Sequence, residues 1–383
     1  MWPAFSPAEE GVRDAIRAFL ADALPVARVP LDDAWISGFD PAFSRRVGAA
    51  GFIGMTWPRA YGGGGRSYVE RAIVTEELLR AGAPVAAHWV GDRQIGPALL
   101  AHGTAEQRDA ILPGIIRGEL VFCLGMSEPG AGSDLAALTT RAVEDGDAFV
   151  VDGQKVWTSF AHQAHYCYLV ARTDPDAPRH RGLSELLVDM RLAGITVRPL
   201  VDMTGEHHFN EVFFDGVRVP KRWLIGEKNR GWFQIAAQLD YERAGMERLL
   251  SYAPLLRDLE AHLRAAGRTR APLVRQELAR LHTELAVGRL LIYRIAWKLS
   301  QGLTPTAETA LAKLYGTELE QRLVRFAAQV LGPYALLDGG AGVPLGGRVA
   351  RALLNAPALT IRGGTVEILR NIVAQRGLGL PRV

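Results

Sequence analysis

The sequence predicts an α+β protein with an N-terminal helical domain, a central β domain and a C-terminal helical bundle. Apolar residues recur at helical spacing before about residue 118, short runs with turn signals follow up to about 228, and long helical periods return after 231. A chain of 383 residues, 48% of them apolar, can bury a core in two or three domains. We therefore predict domains at 1–118, 119–228 and 229–383.

The N-terminal domain is predicted to consist of helices. Ser6 and Glu9 form a capping-box pattern with Pro7 at the first helical position. The apolar face of this first helix is formed by Val12, Ile16, Phe19 and Leu20. Further helices are expected around 72–79 and 95–100, and the glycine run 62–65 is expected to be a flexible loop, because it lacks the flanking strand and helix of a phosphate loop.

The central segment predicts a small barrel or sandwich of short strands. Residues 144–147 (Glu-Asp-Gly-Asp) predict a turn between two strands, and Asp152-Gly153 predicts a second turn. The predicted strands are 139–143, 148–151, 154–158, 166–171, 185–190, 195–200 and 211–214.

The last domain is predicted to be a bundle of long helices. Periodic segments cover 232–264, 273–301 and 307–330, a glycine-rich bend spans 339–347, and shorter helices are expected at 349–354 and 365–376.

Composition narrows the class of protein. The net charge of +3 carries no nucleic-acid signature. The two cysteines, Cys123 and Cys167, lack metal-ligand spacing, so neither a disulfide framework nor a metal site is expected. We find neither a secretory signal nor 18 uninterrupted apolar residues, and we expect a cytoplasmic protein that does not insert into a membrane.

Two stretches of the central domain carry the chemical signal. Residues 126–134 (Met-Ser-Glu-Pro-Gly-Ala-Gly-Ser-Asp) predict a tight loop whose glycines and serines could approach an anionic cofactor, although such a loop alone is more often only a loop. Residues 155–159 (Lys-Val-Trp-Thr-Ser) place a tryptophan before two hydroxyls, which could stack on and bind a flat ring. Taken alone, this tryptophan would more often be a core residue.

Together, the two stretches resemble the acyl-CoA dehydrogenase family. Its members combine a Thr/Ser-Glu-Pro-Gly-Ala-Gly-Ser-Asp loop with a following Lys-x-Trp-x-Thr/Ser strand, and the resemblance runs from end to end. It implies the family fold, in which the last domain is a four-helix bundle. It also implies an FAD-dependent oxidoreductase of fatty acid or steroid degradation.

The resemblance also implies the residues that contact FAD. Those matching contacts to the flavin ring are Met126, Ser127, Trp157 and Ser159, Ser133 matches a position near the phosphates, and Gly132 belongs to the same cofactor-binding loop. Those matching contacts to the adenosine diphosphate half are Gln329, Gly332, Thr365, Glu367 and Arg275, the last from a neighbouring subunit. Pro333 and Leu278 depart from the glycine and phenylalanine of the family pattern, which weakens the match in that half.

The general base is expected at an alternative family position. Many members carry it in Tyr-Glu-Gly-Thr, but the equivalent residue here is Gly363. Other members, among them isovaleryl-CoA and long-chain enzymes, carry it in Leu-Asp-x-Glu-Arg, which residues 239–243 match with Glu242 as the glutamate. Ser133, Arg243 and Gly363 are the expected substrate contacts, with Arg243 positioning the base or its loop and the backbone near Gly363 polarising the thioester carbonyl.

The implied reaction is α,β-dehydrogenation of an acyl-CoA, with Glu242 removing the α-proton and hydride passing to flavin N5. An electron-transfer flavoprotein is the expected electron acceptor, and Arg275 favours a homotetramer. Three alternatives stay open. The chain could be the flavin-binding subunit of a hetero-oligomer for bulky, steroid-like acyl groups, a flavin oxidase or monooxygenase, or a dehydrogenase of carrier-protein thioesters.

Overall fold

Helices precede and follow a central sheet, which confirms the predicted α+β order. The computed structural model describes residues 5–25, 28–235 and 245–381. The helices before the sheet are α1 Pro7–Ala23, α2 Ala34–Ser37, α3 Pro41–Ala49, α4 Tyr68–Arg80, α5 Ala86–Val90, α6 Gly96–His102 and α7 Ala105–Ile116. Those after it are α8 Glu247–Leu250, α9 Ala253–Ala265, α10 Pro272–Ser300, α11 Thr306–Leu331, α12 Arg348–Leu359 and α13 Val366–Ile372.

The strands form one mixed sheet. They are β1 Phe122–Gly125, β2 Arg141–Asp145, β3 Ala148–Lys155, β4 Tyr166–Arg172, β5 Leu183–Asp189, β6 Ile195–Leu200, β7 Phe209–Pro220 and β8 Leu224–Ile225. The order is β6-β7-β3-β2-β4-β5-β8, and β1 pairs with β4 in parallel. Side chains from β5 and β7, far apart in this order, share one buried core, so the sheet curls around it.

The chain divides into two compact units. The first comprises 1–38, 67–84 and 242–383, and the second comprises 39–66 and 85–241. The division into three domains at 118 and 228 stays a prediction. In the part of the chain that the structure describes, the helices lack the combined length and apolar character that a membrane span requires.

Helix starts follow local sequence signals. The Glu9 N–H donates to the Ser6 hydroxyl at 3.3 Å, while the Ser6 N–H donates to the Glu9 carboxylate at 2.7 Å. Ser67 with Glu70 at α4, and Thr104 with Gln107 at α7, repeat this reciprocal capping. The α1 capping box is therefore confirmed as predicted.

The glycine run 62–65 is a loop, as predicted, and its backbone is closely packed. The Gly64 N–H donates to the Gly54 carbonyl at 3.1 Å, and the Gly65 N–H donates to the Trp57 carbonyl at 2.9 Å. A Cβ atom on Gly63 would lie 2.4 Å from the Trp57 carbonyl oxygen. Glycine is required here because the backbones approach too closely for a side chain.

The predicted turn at 144–147 is confirmed, but the second predicted turn is wrong. Strand β3 continues through Asp152 and Gly153, where its register with β7 shifts as in a β-bulge. A Cβ atom on Gly153 would lie 2.5 Å from the Thr140 hydroxyl on the neighbouring chain segment. The Asp-Gly pair therefore marks a close approach inside a strand.

The predicted single helix over 232–264 is also wrong within the described residues. Residues 231–235 are helical, 236–244 lie outside the described ranges, and the chain after them forms α8 and α9 with a turn at Ser251 and Tyr252. Pro254 occupies the first turn of α9, where its missing N–H is harmless. The Ser251 carbonyl accepts the Asp33 N–H at 2.7 Å, so a distant segment binds the backbone where the helix is interrupted.

Glu185 of β5 makes the unfolding free energy depend on pH. Its side chain is fully buried, and burial raises its pKa from 4.5 to about 7, against the opposing effect of hydrogen bonds from Tyr168 and Gln234. A carboxyl with a raised folded-state pKa stabilises the fold when protonated, and this contribution is lost as the pH rises from about 4.5 through 7. The full loss corresponds to about 3 kcal/mol.

We expect Glu185→Gln, which cannot ionise, to lack this loss. Calorimetric Tm values of the variant should rise relative to wild type as the pH is increased from 5 to 8, and this trend should flatten above the pKa of about 7. A Tm difference that is the same at every pH would show that Glu185 does not titrate in this interval.

Candidate functional site

The loop after β1 is a tight turn with an exposed tip. The Glu128 N–H donates to the Ala131 carbonyl at 2.9 Å, and the Ala131 N–H donates back to the Glu128 carbonyl at 3.0 Å. Pro129 and Gly130 occupy the two central turn positions, which suit them. The turn therefore presents the following residues, Gly132 and Ser133, at the surface of the second unit.

A buried carboxylate anchors this loop. The side chain of Glu128 accepts the Thr139 N–H at 2.6 Å, the Thr139 hydroxyl at 2.8 Å and the Thr140 N–H at 2.8 Å. It also accepts a hydrogen bond from the Lys155 ammonium at 2.9 Å. Both charged side chains are buried, Lys155 completely, so they form an internal ion pair.

Lys155 joins the two motifs. Its ammonium also donates to the Met126 carbonyl at 3.0 Å, and the Val156 N–H donates to the Ser127 carbonyl at 2.9 Å. The loop at 126–134 and the segment at 155–159 are therefore one structural feature. Sequence reasoning gave Glu128 and Lys155 no role, although two opposite charges inside a largely apolar domain were a usable signal.

The carboxylate of Glu128 is ionised at neutral pH, with the Lys155 ammonium as its partner. Burial raises the pKa of Glu128, but the charge of Lys155 and the hydrogen bonds outweigh it and lower the pKa to about 2. Burial lowers the pKa of Lys155, and the carboxylate of Glu128 opposes this shift. Each charge thus depends on the other for compensation.

We expect Lys155→Met to destabilise the protein by about 3–5 kcal/mol, because the carboxylate of Glu128 is then buried without its cation. The loop should loosen, and flavin content should fall with it. Calorimetry and the absorbance of the purified protein measure the two effects. The double variant Glu128→Gln/Lys155→Met removes both charges and should recover part of the lost stability. A single variant with wild-type Tm and flavin content would refute the anchoring role.

Trp157 projects from the surface of the second unit. Its side chain is 59% exposed, and its backbone is left-handed, with φ at +59°. Two hydrogen bonds of 3.0 Å between Thr158 and Asn210 fix the segment. The Trp157 ring packs edge-to-face on the Phe209 ring, with the ring centroids 5.7 Å apart. A left-handed tryptophan costs about 1–3 kcal/mol, and such strain concentrates at functional sites. Because the side chain is exposed, the alternative of a core tryptophan is wrong.

The surface around this ring fits a large, flat, anionic cofactor. A Cβ atom added to Gly130 or Gly132 would meet no protein atom within 4 Å, so ligand atoms have room at the backbone. Within the described residues, the N–H groups of Gly132 and Ser133 donate no hydrogen bond. The hydroxyl of Thr158 is buried and has no partner in the same part of the chain. An exposed aromatic ring and free donors in the same unit match the needs of a flavin nucleotide.

A second site feature lies in the first unit, in the turn between α12 and α13. Gly363 and Gly364 have φ values of +69° and +98°, so glycine suits both positions. The Lys313 ammonium donates to the Gly364 carbonyl at 2.6 Å, and the Thr365 hydroxyl caps α13 by accepting the Ile368 N–H at 3.3 Å. A glutamate at 363 would be strained by about 1 kcal/mol.

The other predicted site residues are divided between the two units. Met126, Ser127 and Ser159 lie half-buried beside the features described above, in the second unit. Exposed positions of the first unit are Arg275 on α10, Gln329 on α11, Gly332 after it, and Glu367 on α13. Glu242 and Arg243 lie outside the described residues.

Comparisons with known proteins agree along the whole chain. Family models for the N-terminal, middle and C-terminal domains of acyl-CoA dehydrogenases match residues 6–119, 123–217 and 229–378. The acyl-CoA dehydrogenase FadE26 of Mycobacterium tuberculosis is 36% identical over 400 residues, covering 99% of this chain and 98% of that protein.

Solved structures show the same likeness. The Tcur3481-Tcur3483 steroid ACAD is 35% identical, with a TM-score of 0.91 over 99% of both chains. The ChsE4-ChsE5 complex from Mycobacterium tuberculosis is 37% identical, with a TM-score of 0.88 over 100% of both chains.

Proposed function

Because the chain belongs to the acyl-CoA dehydrogenase family and is thus an FAD-dependent oxidoreductase, we propose that Glu242 is the general base of an α,β-dehydrogenation. The observation that carries the flavin chemistry is the exposed side chain of Trp157 on a left-handed backbone, in a segment hydrogen-bonded to the loop that contains the open backbone of Gly132. This arrangement offers a flat platform and anion-binding donors within one compact unit.

The cofactor contacts follow from this placement. Trp157, Met126, Ser127 and Ser159 would hold the flavin ring, and Gly132 with Ser133 would hold the phosphates. When bound, FAD supplies the acceptor for the hydride of the β-carbon. We assign the adenosine half to the remaining matched positions, which are Arg275 of a neighbouring subunit, Gln329, Gly332, Thr365 and Glu367.

The assignment of the base to Glu242 is supported by the absence of a carboxylate at position 363. Gly363 offers no carboxylate, whereas residues 239–243 (Leu-Asp-Tyr-Glu-Arg) supply one at Glu242. The α-C–H bond breaks towards that carboxylate, which takes the proton, while the β-hydrogen leaves with its electron pair and the α,β double bond forms. The Gly363 N–H would stabilise the negative charge that develops on the thioester oxygen, and Arg243 would position the base.

We propose a bulky acyl group for the substrate. Gly363 leaves one wall of the acyl site without a side chain, and one structural relative is described as a steroid ACAD. The test is an anaerobic screen of CoA thioesters that follows bleaching of the oxidised flavin. Polycyclic acyl-CoAs should bleach it faster than butyryl-CoA, and a matched thioester without β-hydrogens should bind without bleaching. Absence of bleaching by every thioester would refute the proposed reaction.

The proposed assembly is a homotetramer in which Arg275 serves a neighbouring cofactor, with an electron-transfer flavoprotein as electron acceptor. A second candidate, the flavin-binding subunit of a hetero-oligomer, is favoured by the ChsE4-ChsE5 relative, which is a complex. Sedimentation of the chain expressed alone separates the two, because only the first predicts a flavin-loaded tetramer without a second chain. Slow oxidation of the reduced flavin by oxygen would support the electron-transfer protein over an oxidase.

A further inference from the structure

A largely buried arginine lies directly before the glycine turn of the first unit. The side chain of Arg362 is 16% exposed, and one of its terminal N–H groups donates to the Asp33 carboxylate at 2.6 Å. The guanidinium also lies 4.5 Å from the centre of the Trp35 ring. The residue next to Gly363 is therefore fixed to a segment 329 positions away in sequence.

Asp33 is itself held rigidly. It is 2% exposed, and its carboxylate accepts hydrogen bonds of 2.8 Å from the Ser251 hydroxyl and the Asn355 amide. Asp33 occupies the N-cap position of α2 in a left-handed conformation, yet its side chain does not cap that helix. The carboxylate is used for Arg362 in place of the local hydrogen bond that aspartate ordinarily makes at this position.

A contribution to the stability of the fold does not explain the Asp33–Arg362 ion pair. Removing an arginine and an aspartate from water costs several kcal/mol per ion, and well-packed apolar residues often do as well. The Nε and Nη1 atoms of Arg362 are buried and have no hydrogen-bond partner among the described residues. Within the described ranges, the guanidinium thus keeps donors without a partner, and its positive charge lies next to the turn in sequence.

The turn is held from its other side as well. The fully buried Lys313 binds the Gly364 carbonyl, and the Thr360 carbonyl accepts the Val366 N–H at 3.1 Å. Arg362 and Lys313 together fix the backbone on both sides of Gly363. A fully buried cation, Lys313, and a largely buried one, Arg362, therefore hold the residues next to Gly363, whose N–H would face a thioester oxygen.

We propose that the Asp33–Arg362 pair is a positioning device for dehydrogenation, which sets the direction of the Gly363 N–H and keeps a cation behind it. This inference rests on the proposed function, in which that N–H polarises the thioester carbonyl. Arg362 and Asp33 act through the turn, so they are positioning residues without contact to the reacting atoms.

The chain offers a matched control in the adjacent residue. Asp32 accepts hydrogen bonds of 2.7 and 2.8 Å from Arg348, and this pair is also largely buried. Arg348 begins α12, at the end of that helix opposite to the glycine turn. Asp32→Asn and Asp33→Asn therefore each remove one carboxylate charge from a buried arginine, but only the second releases the turn.

The test compares these two variants as FAD-loaded proteins. Asp33→Asn should lower kcat by about 10- to 100-fold with little change in KM or flavin content, because a small misplacement of a polarising group is enough for such a loss. Asp32→Asn should keep a kcat near that of wild type. Infrared difference spectra of a bound thioester that is ¹³C-labelled at the carbonyl and lacks β-hydrogens supply a second readout. The lowered carbonyl frequency in wild type should return towards the free value in Asp33→Asn only.

The possible failures are distinguishable. If wild type neither reduces its flavin with any thioester nor shifts the carbonyl frequency, the proposed function is wrong. If wild type does both and Asp33→Asn matches Asp32→Asn, the inference is overturned. Should Asp33→Asn fail to fold, Arg362→Lys replaces it, since it keeps the charge beside Asp33 but not the guanidinium geometry. A lower kcat and a partly lost frequency shift then support the inference, and wild-type values of both overturn it.

Discussion

Glu242→Gln is expected to slow reduction of the bound flavin by about 10²–10⁴-fold, the usual contribution of a positioned general base. Glutamine keeps the size and hydrogen-bonding capacity of glutamate but cannot take the α-proton. FAD should stay bound, because its matched contacts lie elsewhere in the chain. Anaerobic stopped-flow absorbance with a good acyl-CoA measures the rate.

The control for this variant is binding of a thioester without β-hydrogens, which should still perturb the flavin spectrum. Gly363→Glu in the Glu242→Gln background returns a carboxylate to the other family position. The left-handed backbone of Gly363, at φ +69°, allows only partial recovery of the rate. Flavin reduction by Glu242→Gln at nearly wild-type speed would mean that another residue is the base.

Trp157→Ala is expected to weaken FAD binding by about 10- to 100-fold. Stacking of a heteroaromatic ring on an aromatic side chain is worth about 1–3 kcal/mol, and each 1.4 kcal/mol changes Kd tenfold. The apoprotein should keep its Tm, because the ring is 59% exposed and is not part of the core. Titration of apoprotein with FAD, followed by flavin fluorescence, measures the affinity.

Trp297→Ala is the matched control for this substitution. Trp297 lies on α10 and is 51% exposed, so it resembles Trp157 in size and exposure but not in position. Its removal should leave FAD affinity unchanged, and Trp157→Phe should restore most of what Trp157→Ala loses. Equal affinities for the two alanine variants would contradict the role of Trp157 as the flavin platform.

The parts of the fold that the sequence predicted correctly depend on short-range rules. The capping box of Ser6 and Glu9 and the Gly146 turn between β2 and β3 need only neighbouring residues. The errors at Gly153 and Ser251 arise where a distant segment intervenes. Thr140 approaches Gly153, and the Asp33 N–H binds the Ser251 carbonyl, so a local pattern typical of a turn or a helix was overridden.

The same distinction applies to the candidate site. The motifs at 126–134 and 155–159 could be located from residue types in order, whereas the role of the Glu128–Lys155 pair depends on a contact 27 residues apart. The Asp33–Arg362 pair joins residues 329 apart, and nothing in the local sequence around Asp33 signals it. Likewise, residue order alone favoured a core position for Trp157, whereas its backbone is left-handed and its side chain is 59% exposed.

The most direct test of the central claim is an anaerobic single turnover with an acyl-CoA deuterated at the α-carbon. We predict that the flavin bleaches more slowly than with the unlabelled thioester, and that the product is the enoyl-CoA with one α-deuterium lost to solvent. The account is contradicted if no thioester bleaches the flavin, or if the bleaching rate is insensitive both to α-deuteration and to Glu242→Gln.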